Sequence, residues 1–282
     1  MMDFQTFARI NGVEINNLVI SDKIMRCGTV AKPRSNNGAY LFDGKRGWVM
    51  DWANGGELQV FGSEPKEYTA EEKRAWAKKK QEQEQELAQR HKTASSKAQE
   101  IINTCTLKDH GYLSYKGLIG AQGLVTEDNK LIVPMSSIDG ELKGIQSICW
   151  NEDTRSYDKK MIYGMQAKGA IYRIGSPKAL ETILCEGLAT GLSIKKAIEQ
   201  MSISACVLVC FSANNIVAVA KHFSQKTYVF ADRDESQTGE MCALKTGLPF
   251  CMSDEIGDAN DLHQSKGLTA VIKKIMGVRA NR

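Results

Sequence analysis

The last third of the chain alternates between short, wholly apolar runs and stretches rich in helix formers. Ile183-Leu184-Cys185, Cys206-Val207-Leu208-Val209-Cys210 and Tyr228-Val229-Phe230-Ala231 carry no polar position. Runs of that kind belong to strands covered on both faces, because a half-exposed strand alternates apolar with polar. They predict strands near 181–185, 205–211, 226–231 and 248–251, with helices near 188–200, 213–223 and 238–246 and a last helix near 266–276. Strands separated by helices of about ten residues imply a mostly parallel sheet flanked by helices over residues 178–282.

Upstream the period changes. Residues 105–177 read as a β-rich domain of short strands: 130–135 and 141–148 flank an Asp139-Gly140 turn, and 161–164 and 169–175 follow. Residues 67–104 are dominated by Ala, Glu, Gln, Lys and Arg, with few apolar anchors beyond Trp76, Leu87, Ile101 and Ile102. That composition predicts a long, mostly solvated linker helix, and the lack of an apolar heptad argues against a coiled coil. Residues 1–66 form a β-rich region whose clearest element is a hairpin, 39–42 with 47–52, closed through Asp43-Gly44.

Composition narrows the class only a little. The chain has 282 residues, 42% of them apolar, and a net charge of +4. It can build real cores, and the charge is a weak pointer to nucleic acid. Eight cysteines and four histidines form no CxxC pair and no zinc spacing, so reduced core cysteines and no zinc are expected. Without a membrane-length apolar stretch or a signal-peptide pattern, a cytoplasmic protein is expected. There is also no GxxxxGK[ST] phosphate loop, so no fused helicase is expected.

The candidate chemistry is acidic. Glu186 ends the first predicted strand of the sheet, Asp232-Arg233-Asp234 ends the third, and Asp258-Ala259-Asn260-Asp261 precedes the last helix. Open α/β sheets place their ligands at the carboxyl ends of the strands, and converging carboxylates there suit a hard divalent cation. Each element also has a plain structural use. Glu186 could cap a helix, the Asp232/Asp234 pair could form a solvated strand end with Arg233 as neutraliser, and Asp261 is a good N-cap for the final helix.

The combination of Glu-Gly, Asp-x-Asp and a following acidic loop resembles a TOPRIM domain, the metal-binding phosphotransfer module of primases, topoisomerases and some nucleases. Further motifs resemble primases of the plasmid- and phage-encoded type. These are His110-Gly111-Tyr112-Leu113-Ser114-Tyr115-Lys116-Gly117-Leu118, the strand at Leu131-Ile132-Val133-Pro134-Met135 followed by Asp139-Gly140 and Gln146, Cys185-Glu186-Gly187-Leu188-Ala189-Thr190, and Asp258-Ala259-Asn260-Asp261-Leu262-His263. Arg233 between the two aspartates and Ala259 in the last motif depart from the family pattern, as does the lack of a zinc-binding module ahead of the hairpin.

The resemblance implies a DNA primase that synthesises short RNA primers on single-stranded DNA from ribonucleoside triphosphates, working with a separate replicative helicase. In that reading Asp232 and Asp234 hold Mg²⁺ (or Mn²⁺), Asp258 or Asp261 is an outer ligand, and Glu186 moves a proton or shares the metal. Lys116, Lys143, Lys168 and Arg173 are candidates for nucleotide or template contacts. Lys23, Arg26, Lys32, Arg34, Lys45 and Arg46, interleaved with Tyr40, Phe42, Trp48 and Trp52, suggest a single-strand DNA surface. The same aromatics would serve equally as the hairpin's own core. A TOPRIM nuclease and a catalytically silent single-strand-binding accessory protein are the alternatives.

Overall fold

The computed structural model describes residues 2–52, 56–62, 70–223 and 226–280, and divides into two compact units, 1–78 and 79–282. The expected start of the long helix, residues 67–69, lies outside the described residues.

Unit 1 contains more than a hairpin. Helix α1 (Phe4–Ile10) is followed by strands β1 (Val13–Glu14), β2 (Ser21–Thr29), β3 (Gly38–Phe42), β4 (Gly47–Asp51) and β5 (Leu58–Phe61), which form one antiparallel meander in chain order. The Asp-Gly hairpin is β3–β4: Asp43 accepts from the amides of Lys45 and Arg46, and Gly44 takes φ +97°. Tyr40 and Phe42 point into the unit's core, where Phe42 stacks on Phe4 at 4.3 Å between centroids. The hydroxyl of Tyr40 is engaged by Val19 N–H at 3.0 Å. These two aromatics are therefore core residues, as the alternation across β3 demands.

The long helix α2 spans Ala70–Thr104. Its exposed stretch carries Trp76 and Leu87 on the surface, so neither anchors it. The anchors lie towards its C-terminal end: the buried Ala98 packs with Ile132 and Ile145, Ile101 and Ile102 pack against the same cluster as expected, and the Ser95 hydroxyl donates to Leu142 O at 2.7 Å. The C-terminal part of α2 is thus packed rather than solvated.

Unit 2 holds two sheets. The first, antiparallel, is ordered β10-β9-β8-β7-β6. It is built from β6 (Thr106–Lys108), β7 (Gly123–Val125), β8 (Leu131–Ser136), β9 (Leu142–Asn151) and β10 (Ser156–Met161), with the short helix α3 (Gly111–Tyr115) on one face. Strands β6 and β7 and residues 156–160 of β10 lie outside the expected strands, and of the segment expected as a strand at 161–164 only Met161 is in one.

The second sheet is ordered β11-β13-β12-β14-β15. Strands β11 (Tyr172–Ile174), β12 (Glu181–Cys185), β13 (Ala205–Val209), β14 (Thr227–Ala231) and β15 (Phe250–Met252) form it, β11 antiparallel and the other four parallel. Helices α4 (Leu188–Gln200), α7 (Ala259–Lys266) and α8 (Leu268–Ala280) cover one face, and α5 (Ala213–Ala220) and α6 (Thr238–Thr246) the other. Strand β12 lies between β13 and β14, so the chain leaves it in one direction through α4 and returns to its other side before leaving through α6. The carboxyl ends of β12 and β14 therefore border a crevice at the topological switch point, where doubly wound sheets bind ligands.

One expectation needs correction here. The acidic segment before the last helix is itself a helix, α7. Its N-cap is Asp258, which accepts from the amides of Asn260 and Asp261, while Asp261 reaches back to Asp258 N–H at 3.1 Å. Asp261 is thus the third residue of α7 and completes a capping box, instead of capping α8.

Candidate active site

Glu186 leaves the end of β12 and Asp232 the end of β14, the two strands that border the crevice. Strand β14 is prolonged by one antiparallel bridge, in which Arg233 and Gly257 exchange both backbone hydrogen bonds at 3.0 and 2.9 Å. Arg233 Nε also donates to Ser253 O at 2.8 Å. The residue that separates the two aspartates is therefore a clamp, drawing the 253–257 loop and Asp258 to the acidic edge.

The carboxylates differ sharply in their surroundings. Asp234 is satisfied: the hydroxyl of Ser236 donates to it, as do the amides of Thr238 and Gly239, both at 3.2 Å. The Ser236 hydroxyl and these amides hold its carboxyl below the ordinary range. Asp234 thereby caps the first turn of α6, whose formal N-cap, Gln237, makes no side-chain bond. Asp232 is the opposite. Its Oδ1 is buried with no hydrogen-bond partner, and burial, then the charges of Asp258, Glu186 and Asp261, push its carboxyl up to about 8, with Lys159 opposing. Glu186 is raised by burial and by Asp234 and Asp258, against Lys159 and the amide of Ala213. An unpaired, desolvated carboxylate among other carboxylates is an unfavourable arrangement that a cation would relieve.

The donor set fits a hard divalent ion. All candidate donors are oxygens, and among the described residues no three His, Cys, Asp or Glu side chains are grouped to enclose an ion by themselves. Water and substrate oxygens would complete the shell, as Mg²⁺ prefers.

Three distant sequence motifs meet in one polar network behind this edge. Asn260, fully buried, donates to Lys116 O at 2.8 Å and to Ser193 Oγ at 3.0 Å, and accepts from Gln264 at 2.9 Å. Thr190 Oγ1 donates to Asp258 Oδ2 at 2.8 Å, and Lys116 Nζ lies 3.6 Å from Asp261. Phe211, held at φ 66°, donates its N–H to Glu186 O at 2.8 Å; such a backbone in a residue with a side chain stores strain beside the site.

The basic candidates scatter. Lys116 stands at the edge. Lys168 is exposed in a loop that Asn215 fastens over the start of α5 through Gly169 N–H at 2.7 Å, beside a cavity of about 300 Å³ reaching Ser212. Lys143 pairs with Glu141 at 2.7 Å, and Arg173 is a strut, donating to Ile138 O at 3.2 Å. In unit 1, Arg34 and Lys45 are exposed and Arg46 and Trp48 half-buried, while Arg26 lies 5.7 Å from the centroid of the exposed Trp52 ring. Lys159 is absent from the sequence candidates, and Tyr112 figures there only as part of the 110–118 motif. Lys159, on β10, is the cation that acts on both Glu186 and Asp232, and its Nζ lies 5.5 Å from the centroid of Tyr112. The Tyr112 hydroxyl is buried without a partner, its ionisation disfavoured first by burial and also by Asp258 and Asp261. Only the two-residue period of β10, which puts Lys159 on the face of Tyr157, hinted at Lys159.

Gly239 is a test of this packing. A Cβ there would lie 2.1 Å from Asp232 O and 3.0 Å from its carbonyl carbon, so it would press on the backbone of Asp232 itself. Gly239→Ala is expected to cost about 3 kcal/mol in urea unfolding, at the top of the range for overpacking, and to impair any activity of Asp232. Gly277→Ala, with open space in α8, should be neutral or stabilising by about 0.5–1 kcal/mol.

Among the described residues no helix is long and apolar enough to cross a membrane. No curated protein matches the sequence. Among solved structures, the chain is similar to the RNA polymerase domain (RPD) of Mycobacterium tuberculosis primase DnaG, at 15% identity and TM-score 0.37 over 68% of this chain and 74% of that one. It is similar to the E. coli primase catalytic core, at 17% identity and TM-score 0.37 over 68% and 74%. The same Mycobacterium tuberculosis domain in complex with a double-stranded DNA oligomer with a 6-nucleotide overhang gives 13% identity and TM-score 0.36 over 68% and 72%. Likenesses this remote assign no activity. Residues 181–269 match the Toprim_3 family, a Toprim domain, and that segment runs from the first residue of β12 into α8 and contains every carboxylate of the acidic edge.

Proposed function

We propose that the acidic edge is a Mg²⁺-dependent nucleotidyl-transfer site and that the protein is a primase, making short RNA primers on single-stranded DNA in phage or plasmid replication. The observation that carries this reading is the buried, unpartnered Oδ1 of Asp232 among the charges of Glu186, Asp258 and Asp261, within the segment that matches a Toprim domain. Asp232, with Glu186 and Asp258 near it, would hold the ion, and Asp234 and Asp261 would support it. A bound Mg²⁺ supplies charge neutralisation to the triphosphate and to the oxygens that gain charge during transfer.

The chain's own residues do the rest. Asp234 fixes the start of α6, and the Arg233 clamp fixes the approach of Asp258. Glu186, its carboxyl raised by burial, is suited to take a proton from an attacking hydroxyl. Lys159, on β10 and with its charge reaching Glu186 and Asp232, would pair with substrate phosphates, those of the incoming nucleotide among them. Lys159→Ala is therefore expected to raise the nucleotide KM by about tenfold, the equivalent of one surface-accessible charge contact of about 1.4 kcal/mol, with a smaller effect on kcat. An unchanged KM would remove Lys159 from the site.

Incubation of the protein with mixed-sequence single-stranded DNA, Mg²⁺ and labelled ribonucleotides tests the proposal. Short labelled RNA is expected. Loss of the DNA with no labelled product would show a Toprim nuclease, and strand binding with neither reaction an accessory protein.

A further inference from the structure

Beside the acidic edge, unit 2 carries a group of aromatic rings that the transfer reading leaves unused. Helix α3 and the β9–β10 hairpin gather His110, Tyr112, Tyr115 and Trp150 around the ring of Tyr157. The centroid separations are 6.0, 5.3, 5.7 and 5.1 Å respectively, with Tyr112 and Trp150 edge-on. Edge-to-face packing of this kind fixes ring orientation as well as position. Tyr112 is buried, but Tyr115 is 68% exposed and Trp150 43% exposed, so both held side chains remain partly open to solvent.

The charges nearby are matched to these rings. Trp150 and Tyr157 are register partners across β9 and β10, and Lys159 follows on the same face, its charge reaching Glu186 and Asp232. Lys116 follows Tyr115 directly and lies 3.6 Å from Asp261. Each exposed ring is thus a short step from a lysine at the acidic edge. The acidic residues of the hairpin lie elsewhere: Glu152 and Asp153 in its turn, and Asp158 tied to Asn151 and Lys160.

We propose that Tyr115 and Trp150 form a stacking platform for the bases of a single nucleic-acid strand, with Lys159 and Lys116 meeting its phosphates on the way to the acidic edge. Only an unpaired strand offers its base faces to side chains, and cations beside aromatic rings are the composition that holds one. The proposal rests on the transfer reading for its purpose, but strand binding can be measured where no transfer takes place.

The test is fluorescence anisotropy of a short labelled DNA strand with the full chain, in EDTA. Stacking contributes about 1–3 kcal/mol per base, so the double variant Tyr115→Ala/Trp150→Ala is expected to bind at least about tenfold more weakly. Tyr115→Phe/Trp150→Phe, which keeps both ring faces, should bind as wild type. The salt slope of the alanine variant should be unchanged, because rings release no counterions, whereas Lys159→Ala should reduce it by about one. Equal unfolding temperatures for wild type and variants establish that the surface alone was altered. Three results would overturn the platform: wild-type binding by the folded alanine variant, no strand binding by wild type, or loss of binding only on Trp48→Ala/Trp52→Ala in unit 1. Strand binding that behaves as expected in a protein making no primers would instead sink the transfer reading and leave the platform standing.

Discussion

Asp232→Asn is expected to abolish primer synthesis while making the protein more stable in chelator. Loss of about 4 kcal/mol of charge stabilisation at the reacting phosphate corresponds to roughly a 1,000-fold fall in rate. The stability effect has the opposite sign because the carboxylate is a burden to the fold. Its Oδ1 is buried and unpaired, and its carboxyl is pushed up to about 8. The folded state therefore keeps a proton that the unfolded chain has already lost. Stability present at acid pH should decline as the pH rises from the ordinary carboxylate range to about 8. Glu186, raised in the same direction, adds to the slope. Unfolding temperatures of wild type in EDTA should fall across that window, those of Asp232→Asn should fall less, and Mg²⁺ should lift only the wild type. A variant that is both active and no more stable would contradict this account of Asp232.

Asn260→Ala is expected to be strongly destabilising for a polar substitution. The side chain is wholly buried and joins Lys116 O, Ser193 Oγ and Gln264 through three hydrogen bonds. Its removal strands the Lys116 carbonyl and leaves a small void, and a buried polar group left unmade costs about 1–3 kcal/mol. With the void added, about 3 kcal/mol in urea unfolding is expected. Because Asn260 ties α3 to α4 and α7, Lys116 and Asp261 should lose their mutual register as well. Gln264→Ala removes only the exposed partner and should cost within about 0.5 kcal/mol. Similar effects for the two changes would show that the network does not brace the site.

Much of the fold was legible because local and long-range preferences agree. The boundaries of β12, α4 and α6 follow directly from apolar runs and the helix formers between them, and Asp43-Gly44 sets the β3–β4 hairpin. Strands β6 and β7 were hidden, since three residues show no period and their pairing is set by neighbours distant in sequence. Helix α7 read as a loop because Asp258, Asn260 and Asp261 are turn formers; here they cap a helix and join side chains that only the fold brings near. The anchoring of α2 was legible in part, because Ile101 and Ile102 are apolar and do pack against the sheet. Ala98 carries little hydrophobicity, so its place against Ile132 and Ile145 shows only in the fold.

The acidic residues illustrate the same division. Their placement on one edge follows from strand order and could be read from the chain. The difference between Asp232, dry and unpaired, and Asp234, engaged by Ser236 and two amides, arises from the Arg233–Gly257 bridge and the first turn of α6. Nothing in an Asp-x-Asp spacing distinguishes them. Lys159 likewise reaches the edge from a different sheet, and its charge matters only because β10 is placed where it is.

Titration of Mn²⁺ into wild type and Asp232→Asn, followed by the electron paramagnetic resonance signal of the free ion, tests the central claim most directly. Wild type is expected to take up Mn²⁺ that Mg²⁺ then displaces, and Asp232→Asn to leave that ion in solution. Equal uptake by both proteins, or none by either, would contradict a divalent-cation site at the carboxyl ends of β12 and β14.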